Sequence, residues 1–340
     1  MRIVQIGFHD TAGSMFFLSH AINKLTKHKA VSIRFLNDYL RWPTMIEASA
    51  YNRSDIRKML YKADVIHFHI RVKPFFITLR LDPEKIRAKK TLVYYHGSML
   101  RLYGEKLQPQ NLECLPNHIA TVSTPDLLEF LDEGVEGHWL PVVRPFDDIL
   151  ARYGRSSADL EAMRYFGSKK IVVFGHATTS VQKKGSRAFF QALTNVVRGN
   201  PKARASMIIN NPWDSAIRKT ASFDVSLGTA TMFKVQKKGE DAVTYGCGYG
   251  LTAVEAGIFS IPIISLFTRS DEERYEKVAG EAPPLVTFMN EEDLTERMFY
   301  LAENQKERLR IGRALHTYMR KFHDEQAVVT RYLKLIEGIE

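Results

Sequence analysis

The sequence predicts an α/β protein built on parallel sheets with helices on both faces, in two domains. Three observations carry that reading. Short apolar runs of strand length alternate with segments whose apolar residues recur at helical spacing. The alternation stops in a polar stretch at Asp147–Lys170 and then starts again. The chain has 340 residues, which at roughly 150 per domain suggests two.

In the first half, Arg2–Phe8 is a strand-like run, followed by a small-residue loop holding Gly13. Met15, Phe16, Leu18, Ala21, Ile22 and Leu25 then repeat as one helix face. Val31–Leu36, Val65–Ile70, Thr91–Tyr95 and Ala120–Val122 read as further strands. Ser123-Thr124-Pro125-Asp126 reads as a helix start, because a hydroxyl before proline is an N-terminal signal. In the second half, Ile171–Phe174 is a strand and Gly185–Val197 a helix. Ser206–Ile209 is a strand, Leu251–Ile258 a helix, and Ile261–Leu266 a buried strand. Leu294–Leu301 and Lys306–Phe322 are amphipathic helices, and the last helix spans about Glu325–Ile339. The segment Phe223–Thr244 is read as a loop or a hairpin. No internal repeat or low-complexity tract is present.

Hydrophobic residues make up 45% and charged residues 25%, which excludes a disordered or collagenous chain. No run approaches the ~18 apolar residues of a membrane span, and the first residues lack a signal-peptide pattern. A cytoplasmic protein, at most peripheral to a membrane, is expected. Two cysteines, Cys114 and Cys247, are too few for a disulfide framework or a cysteine zinc site. The formal charge of +10 is spread over both halves and permits an anionic partner: phosphates, nucleic acid or a lipid surface. The basic segments Lys85–Lys90, Lys169-Lys170 and Lys306–Arg313 read as solvated faces.

Two strand–loop–helix units in the second half could carry chemistry. In the first, a strand delivers Gly175, His176 and the pair Lys183-Lys184 to a helix beginning near Gly185. Free N–H groups at a helix N-terminus favour an anion, and lysine adds full charge. In the second, Gly246, Gly248 and Gly250 precede a helix that carries Glu255 one turn in. A carboxylate there can accept hydrogen bonds from two vicinal hydroxyls, as a ribose offers. The competing readings are a solvated lysine pair and a glutamate that merely complements the helix dipole. The glycines do not form a dinucleotide fingerprint.

These units, about 70 residues apart, resemble the donor half of retaining family-4 GT-B glycosyltransferases. The carrying residues are Lys184-Gly185, then Gly250 with Glu255-Ala256, then Ile261-Pro262-Ile263-Ile264. Tyr95-His96-Gly97-Ser98, the 123–126 segment and Leu140-Pro141 agree in outline in the first half. The resemblance implies two Rossmann-like domains facing each other across a cleft, with the C-terminal helix packing back on the N-terminal domain. It places an acceptor-side domain at 1–150 plus 323–340 and a nucleotide-sugar domain at 165–322. It implies that Glu255 binds the ribose and that Lys184 neutralises the diphosphate. The backbone at Gly250, Leu251 and Thr252 would cradle the same phosphates, beside His176. Gly13 would approach them from the acceptor domain, and His96 would touch the transferred sugar. The chain departs from the family at Cys247, where a sugar-binding glutamate is usual, and at His176, where an arginine is common.

The implied reaction needs little side-chain chemistry, because N–H dipoles and a lysine can stabilise a leaving diphosphate. No D-x-D motif is present, so neither a metal nor a resident cofactor is expected. His96 stands at a strand's carboxyl end, where ligands bind in open α/β sheets, whereas His67 and His69 read as core residues. Arg101, Tyr39, Trp42, Phe75, Phe76 and Tyr103 could wall an acceptor cleft. The acceptor would be a glycan, a lipid-linked sugar or a small molecule, with a hydroxymethylated base in DNA as the alternative. A nucleotide-sugar epimerase and a binding protein with a decayed site are the rival readings. No obligate protein partner is implied.

Overall fold

The computed structural model describes residues 1–36, 42–154, 165–166, 169–178, 185–230, 233–235, 243–245 and 249–338. It divides into two units, Met1–Pro145 with His323–Glu340, and Phe146–Phe322.

The first unit is a seven-stranded sheet in the order β3-β2-β1-β4-β5-β6-β7. Its strands are β1 (Arg2–Gly7), β2 (Lys29–Arg34), β3 (Ile46–Glu47), β4 (Val65–His69), β5 (Lys90–Tyr95), β6 (Ile119–Val122) and β7 (Gly137–Trp139). Every pairing is parallel. The central strands β1, β4 and β5 are buried almost throughout, as strands covered on both faces must be. The covering helices are α1 (Ser14–Leu25), α2 (Arg53–Lys62), α3 (Lys73–Leu79), α4 (Pro83–Arg87) and α5 (Gly97–Cys114). After β1 the chain builds toward β2 and β3, then returns to lay β4 on the other side. That reversal makes the carboxyl ends of β1 and β4 the topological switch point, where such sheets bind ligands.

Pro125–Phe130 forms a six-residue 3-10 helix rather than an α-helix start. Thr124 makes no side-chain cap there, and the segment ends in extended backbone at Leu131. Asp126 is instead buried against Arg101.

The second unit holds a five-stranded parallel sheet in the order β11-β10-β12-β15-β16. A small antiparallel pair comes first, β8 (Tyr165–Phe166) with β9 (Lys169–Lys170). The sheet strands are β10 (Val172–Thr178), β11 (Ala203–Ile209), β12 (Val225–Leu227), β15 (Ile263–Ser265) and β16 (Val286–Thr287). Between β12 and β15 the chain makes an antiparallel pair, β13 (Phe233–Val235) with β14 (Val243–Tyr245), so this part of 223–244 is a hairpin ladder. The helices are α6 (Phe146–Tyr153), α7 (Ser186–Gly199), α8 (Trp213–Thr220), α9 (Leu251–Ile258), α10 (Arg269–Ala279), α11 (Glu291–Glu303) and α12 (Gln305–His323). Phe174, Phe189, Val196, Val225, Ile264, Leu294 and Met298 fill one core. Ile208, Phe223, Ala256 and Ile261 fill a second.

The last helix, α13 (Glu325–Glu337), belongs to the first unit. It buries Val328, Val329, Tyr332 and Ile336. Lys24 meets Glu325 at 2.8 Å, Lys90 Nζ donates to the Ile336 carbonyl at 2.6 Å, and Tyr332 stacks on His67. The C-terminal helix therefore packs back on the N-terminal sheet.

Candidate functional site

In the first unit the chemistry gathers at the switch point. The turn after β1 carries two residues in the left-handed region, Ala12 at φ 61° and Gly13 at φ 65°. A Cβ on Gly13 would lie 2.7 Å from the Trp42 ring and 2.9 Å from Phe17, so only glycine fits. Asp10, 1% exposed, takes the first turn of α1: Oδ1 accepts from the Met15 N–H at 2.8 Å and Oδ2 from Phe16 at 3.0 Å. Burial raises the Asp10 pKa to about 7, against those two N–H groups and the charges of Arg144 and Arg34. Arg144, itself buried, donates to the Ala12 carbonyl at 2.6 Å and lies over the Phe17 and Trp42 rings. The Met15 and Phe16 amides thus already serve an internal carboxylate. A phosphate near Gly13 would have to use other groups of the turn.

His96 caps α5 with its backbone: its carbonyl accepts from Met99 at 3.1 Å and Leu100 at 3.0 Å. Its ring joins a largely buried cluster with His67, His69 and Tyr94. His96 Nε2 lies 3.4 Å from His69 Nδ1, and His69 Nε2 lies 3.2 Å from Gln5 Oε1. Desolvation lowers His67 and His96 to about 3 and takes His69 well below its ordinary value. His67 and His69 are core residues, as the sequence suggested.

Beside this cluster, Phe8, His9, Leu36, His69, Ile70, Arg71, Pro74 and Met99 line a cavity of about 520 Å³. Its wall includes a strained turn. Ile70, a β-branched residue, sits at φ 73°, and Arg71 N–H donates to the His69 carbonyl at 3.0 Å. The Asn111 amide holds the turn from both sides, accepting from Val72 at 3.0 Å and donating to the Ile70 carbonyl at 2.9 Å. The aromatic wall expected from sequence differs. Trp42 and Phe75 are core residues, Arg101 is buried with Asp126, and Tyr39 lies outside the described residues. Phe75 stacks on Phe8 at 4.5 Å, and Phe8 lines the cavity together with the rings of His9 and His69.

In the second unit the five-stranded sheet is parallel, so the connections that leave its strands start at its carboxyl edge. That edge collects the N-terminus of α7 at Gly185 and Ser186, of α8 at Trp213, and of α9 at Gly250. Among the described residues no side chain caps α9. Its first N–H groups, those of Leu251 and Thr252, have no acceptor within the helix and point out of its start. Glu255 is buried on the second turn, and its Oε1 accepts from the Trp213 indole N–H at 2.9 Å. Trp213 was not singled out by sequence.

His176 is a strand residue, not a loop residue, because β10 continues through Gly175, His176, Ala177 and Thr178 in register with β11. Its ring nitrogens are spent inside the unit, Nδ1 on the Leu227 carbonyl at 2.9 Å and Nε2 on Ser186 Oγ at 2.8 Å. It ties the first residue of α7 to β12 and presents no nitrogen to a phosphate. Gly175 is likewise a packing glycine, since a Cβ would fall 2.0 Å from the Phe223 ring. Lys183, Lys184, Gly246, Cys247 and Gly248 lie outside the described residues.

No helix among the described residues is long and apolar enough to cross a membrane. No protein-family model matches the sequence, and no curated protein does. Solved structures do match. The chain is similar to HepE of Anabaena in complex with UDP-glucose, over all of both chains, with TM-score 0.68 and 11% identity. It is similar to an alpha-glucosyltransferase in complex with UDP-glucose and DNA containing an abasic site, over 99% of both chains, with TM-score 0.66 and 10% identity. Sucrose-phosphate synthase of Thermosynechococcus elongatus matches 100% of this chain and 99% of its own, with TM-score 0.63 and 12% identity. The fold is GT-B.

Proposed function

We propose that this chain is a retaining glycosyltransferase that moves a sugar from a nucleoside-diphosphate donor to a hydroxyl acceptor. The observation that carries the reading is the edge of the second sheet: an uncapped α9 N-terminus with Glu255 buried one turn in and held by Trp213. A carboxylate has about four acceptor sites, so one fixed by an indole N–H can still receive ribose hydroxyls. The amides of Leu251 and Thr252, following Gly250, suit the diphosphate, and Lys184 is the cation expected to neutralise its growing charge. His176 acts one step back, by holding Ser186 at the start of α7. UDP-glucose is the donor to test first, since HepE and the alpha-glucosyltransferase hold it.

The first unit is proposed to take the acceptor, in the cavity beside Ile70, with His96 toward the sugar. The N-terminal residues through about 150, with 323–340, would form this acceptor side, and 165–322 the donor side. The acceptor is a glycan, a lipid-linked sugar or a small molecule. A DNA base is the second reading, favoured by the charge of +10 and by the DNA-bound neighbour. We place the enzyme in the cytoplasm, with no bound metal and no resident cofactor needed for transfer.

The deciding experiment incubates the protein with radiolabelled UDP-glucose and a panel of glycan, lipid and hydroxymethylated DNA acceptors, with and without EDTA. Label in an acceptor, undiminished by EDTA, is the expected result. Epimerised donor without acceptor, or binding without turnover on any donor tried, would overturn it. Glu255→Ala is expected to weaken donor binding by roughly 1–3 kcal/mol, the scale of an unmade buried hydrogen bond.

A further inference from the structure

The strand-end histidine is held by a chain of buried polar contacts that fixes where its proton sits. Gln5, in the middle of β1, is fully buried. Its Nε2 lies 3.2 Å from the Met15 carbonyl and 2.9 Å from Ser19 Oγ. A carbonyl can only accept, so the atom facing Met15 must be the NH₂ group. That orients Oε1 toward His69 Nε2, at 3.2 Å. An amide oxygen can only accept, so His69 must carry its proton on Nε2. A neutral imidazole has one N–H, which leaves His69 Nδ1 as an acceptor. His96 Nε2 faces that lone pair at 3.4 Å and must therefore be the donor. The reversed chain would set Gln5 Oε1 against the Met15 carbonyl, two acceptors with no proton between them.

Neutrality is the premise of this logic, and the surroundings enforce it. Both rings are buried, and desolvation depresses both pKa values far below neutrality. Among the described residues no carboxylate is bonded to either ring: the ring contacts of His69 and His96 there are Gln5, each other, and the rings of His67 and Tyr94.

We infer that Gln5 and His69 are positioning residues that lock His96 as its Nε2–H tautomer, so that Nδ1 offers a lone pair to a hydroxyl of the bound sugar. The consequence for the ligand rests on the proposed function; the tautomer lock does not. In this state the His96 side chain accepts a hydrogen bond and cannot donate one outward. It favours a hydroxyl donor over a phosphate oxygen, which has no proton to give. The imidazole then discriminates the sugar from the diphosphate by proton position alone.

Nitrogen-15 NMR of histidine-labelled full-length protein tests the lock without ligand. Both His69 and His96 should show Nε2 protonated and Nδ1 bare; Nδ1–H on either overturns the inference. In Gln5→Leu, of similar size and without the amide, both rings should move to a tautomer mixture; unchanged spectra overturn it. His69→Phe is the second variant, expected to release His96 alone, so the test survives a folding failure of the first. Gln5→Leu should also lower kcat/KM about tenfold at unchanged circular dichroism. UDP-glucose added to the wild-type protein should shift the His96 Nδ1 resonance, and UDP should not. A correct lock with no shift on UDP-glucose would remove His96 from the sugar site while leaving the lock standing.

Discussion

Acidification is expected to unfold this protein from the inside, through histidines rather than carboxylates. His67 and His96 have folded pKa values of about 3 and His323 of about 4, against an ordinary 6.5, and His69 is also depressed. Burial is the largest cause in each case. A depressed histidine contributes stability that is fully present above pH 6.5 and is lost as pH falls toward its folded value, because the unfolded chain takes up the proton first. At ~1.4 kcal/mol per unit, a histidine held near 3 accounts for up to about 5 kcal/mol. Asp10 acts in the opposite sense. Its folded pKa of about 7 exceeds the ordinary 3.8, so its contribution grows as pH falls from 7 toward 4. His118 is depressed by burial as well, so five histidines against one aspartate leave about four uncompensated protons, a slope of roughly 5 kcal/mol per pH unit at most. Against a typical total of about 5–15 kcal/mol, cooperative structure should be lost between about pH 6 and pH 4. Urea melts at half-unit steps from pH 7.5 to 4.5 would read this as a falling midpoint. His67→Phe keeps a ring against Tyr332 and removes one titrating site, so the slope should drop by about 1.4 kcal/mol per pH unit. A midpoint that stays flat down to pH 4.5, or a His67 titration near 6.5 in the folded protein, would refute the reasoning.

Gly13→Ala should destabilise the first unit by roughly 2–3 kcal/mol, combining left-handed strain with a Cβ forced onto Trp42 and Phe17. A urea midpoint unchanged from wild type would dismiss the packing account. Trp213→Phe keeps the ring and deletes the N–H that holds Glu255, so UDP-glucose affinity should fall about tenfold, near 1.4 kcal/mol, with little change in stability. Equal affinities in calorimetry would show that the indole does not orient the carboxylate. Gly175→Ala should compromise folding through collision with the Phe223 ring, and Phe223→Leu in the same chain should recover much of the loss. Additive effects of the two substitutions in thermal melts would contradict the contact.

Much of the sheet architecture is legible because parallel strands are buried on both faces and so are written as largely apolar runs, such as Leu92–Tyr95 and Ile263–Ile264. The misreadings have the converse cause. Gly175–Thr178 is not apolar and reads as a loop, yet the ladder to Ser206–Ile209 keeps it extended. The helix Gly97–Cys114 escaped notice because Pro109 interrupts a weak apolar pattern. In the candidate site, Glu255 is visible from local spacing. The indole that orients it is not, because Trp213 lies 42 residues away and only folding joins them. The histidine relay has the same non-local character, but it leaves a trace that can be read. Gln5 breaks the run Ile3-Val4-Gln5-Ile6, and His67 and His69 break Val65-Ile66-His67-Phe68-His69. Inside a sheet covered on both faces no solvent is available to satisfy such residues, and each unsatisfied polar group costs about 1–3 kcal/mol. Polar interruptions on neighbouring strands must therefore find one another. The pairing of β1 with β4 supplies the register, setting Gln5 beside His67 and, one pleat on along the same face, within reach of His69.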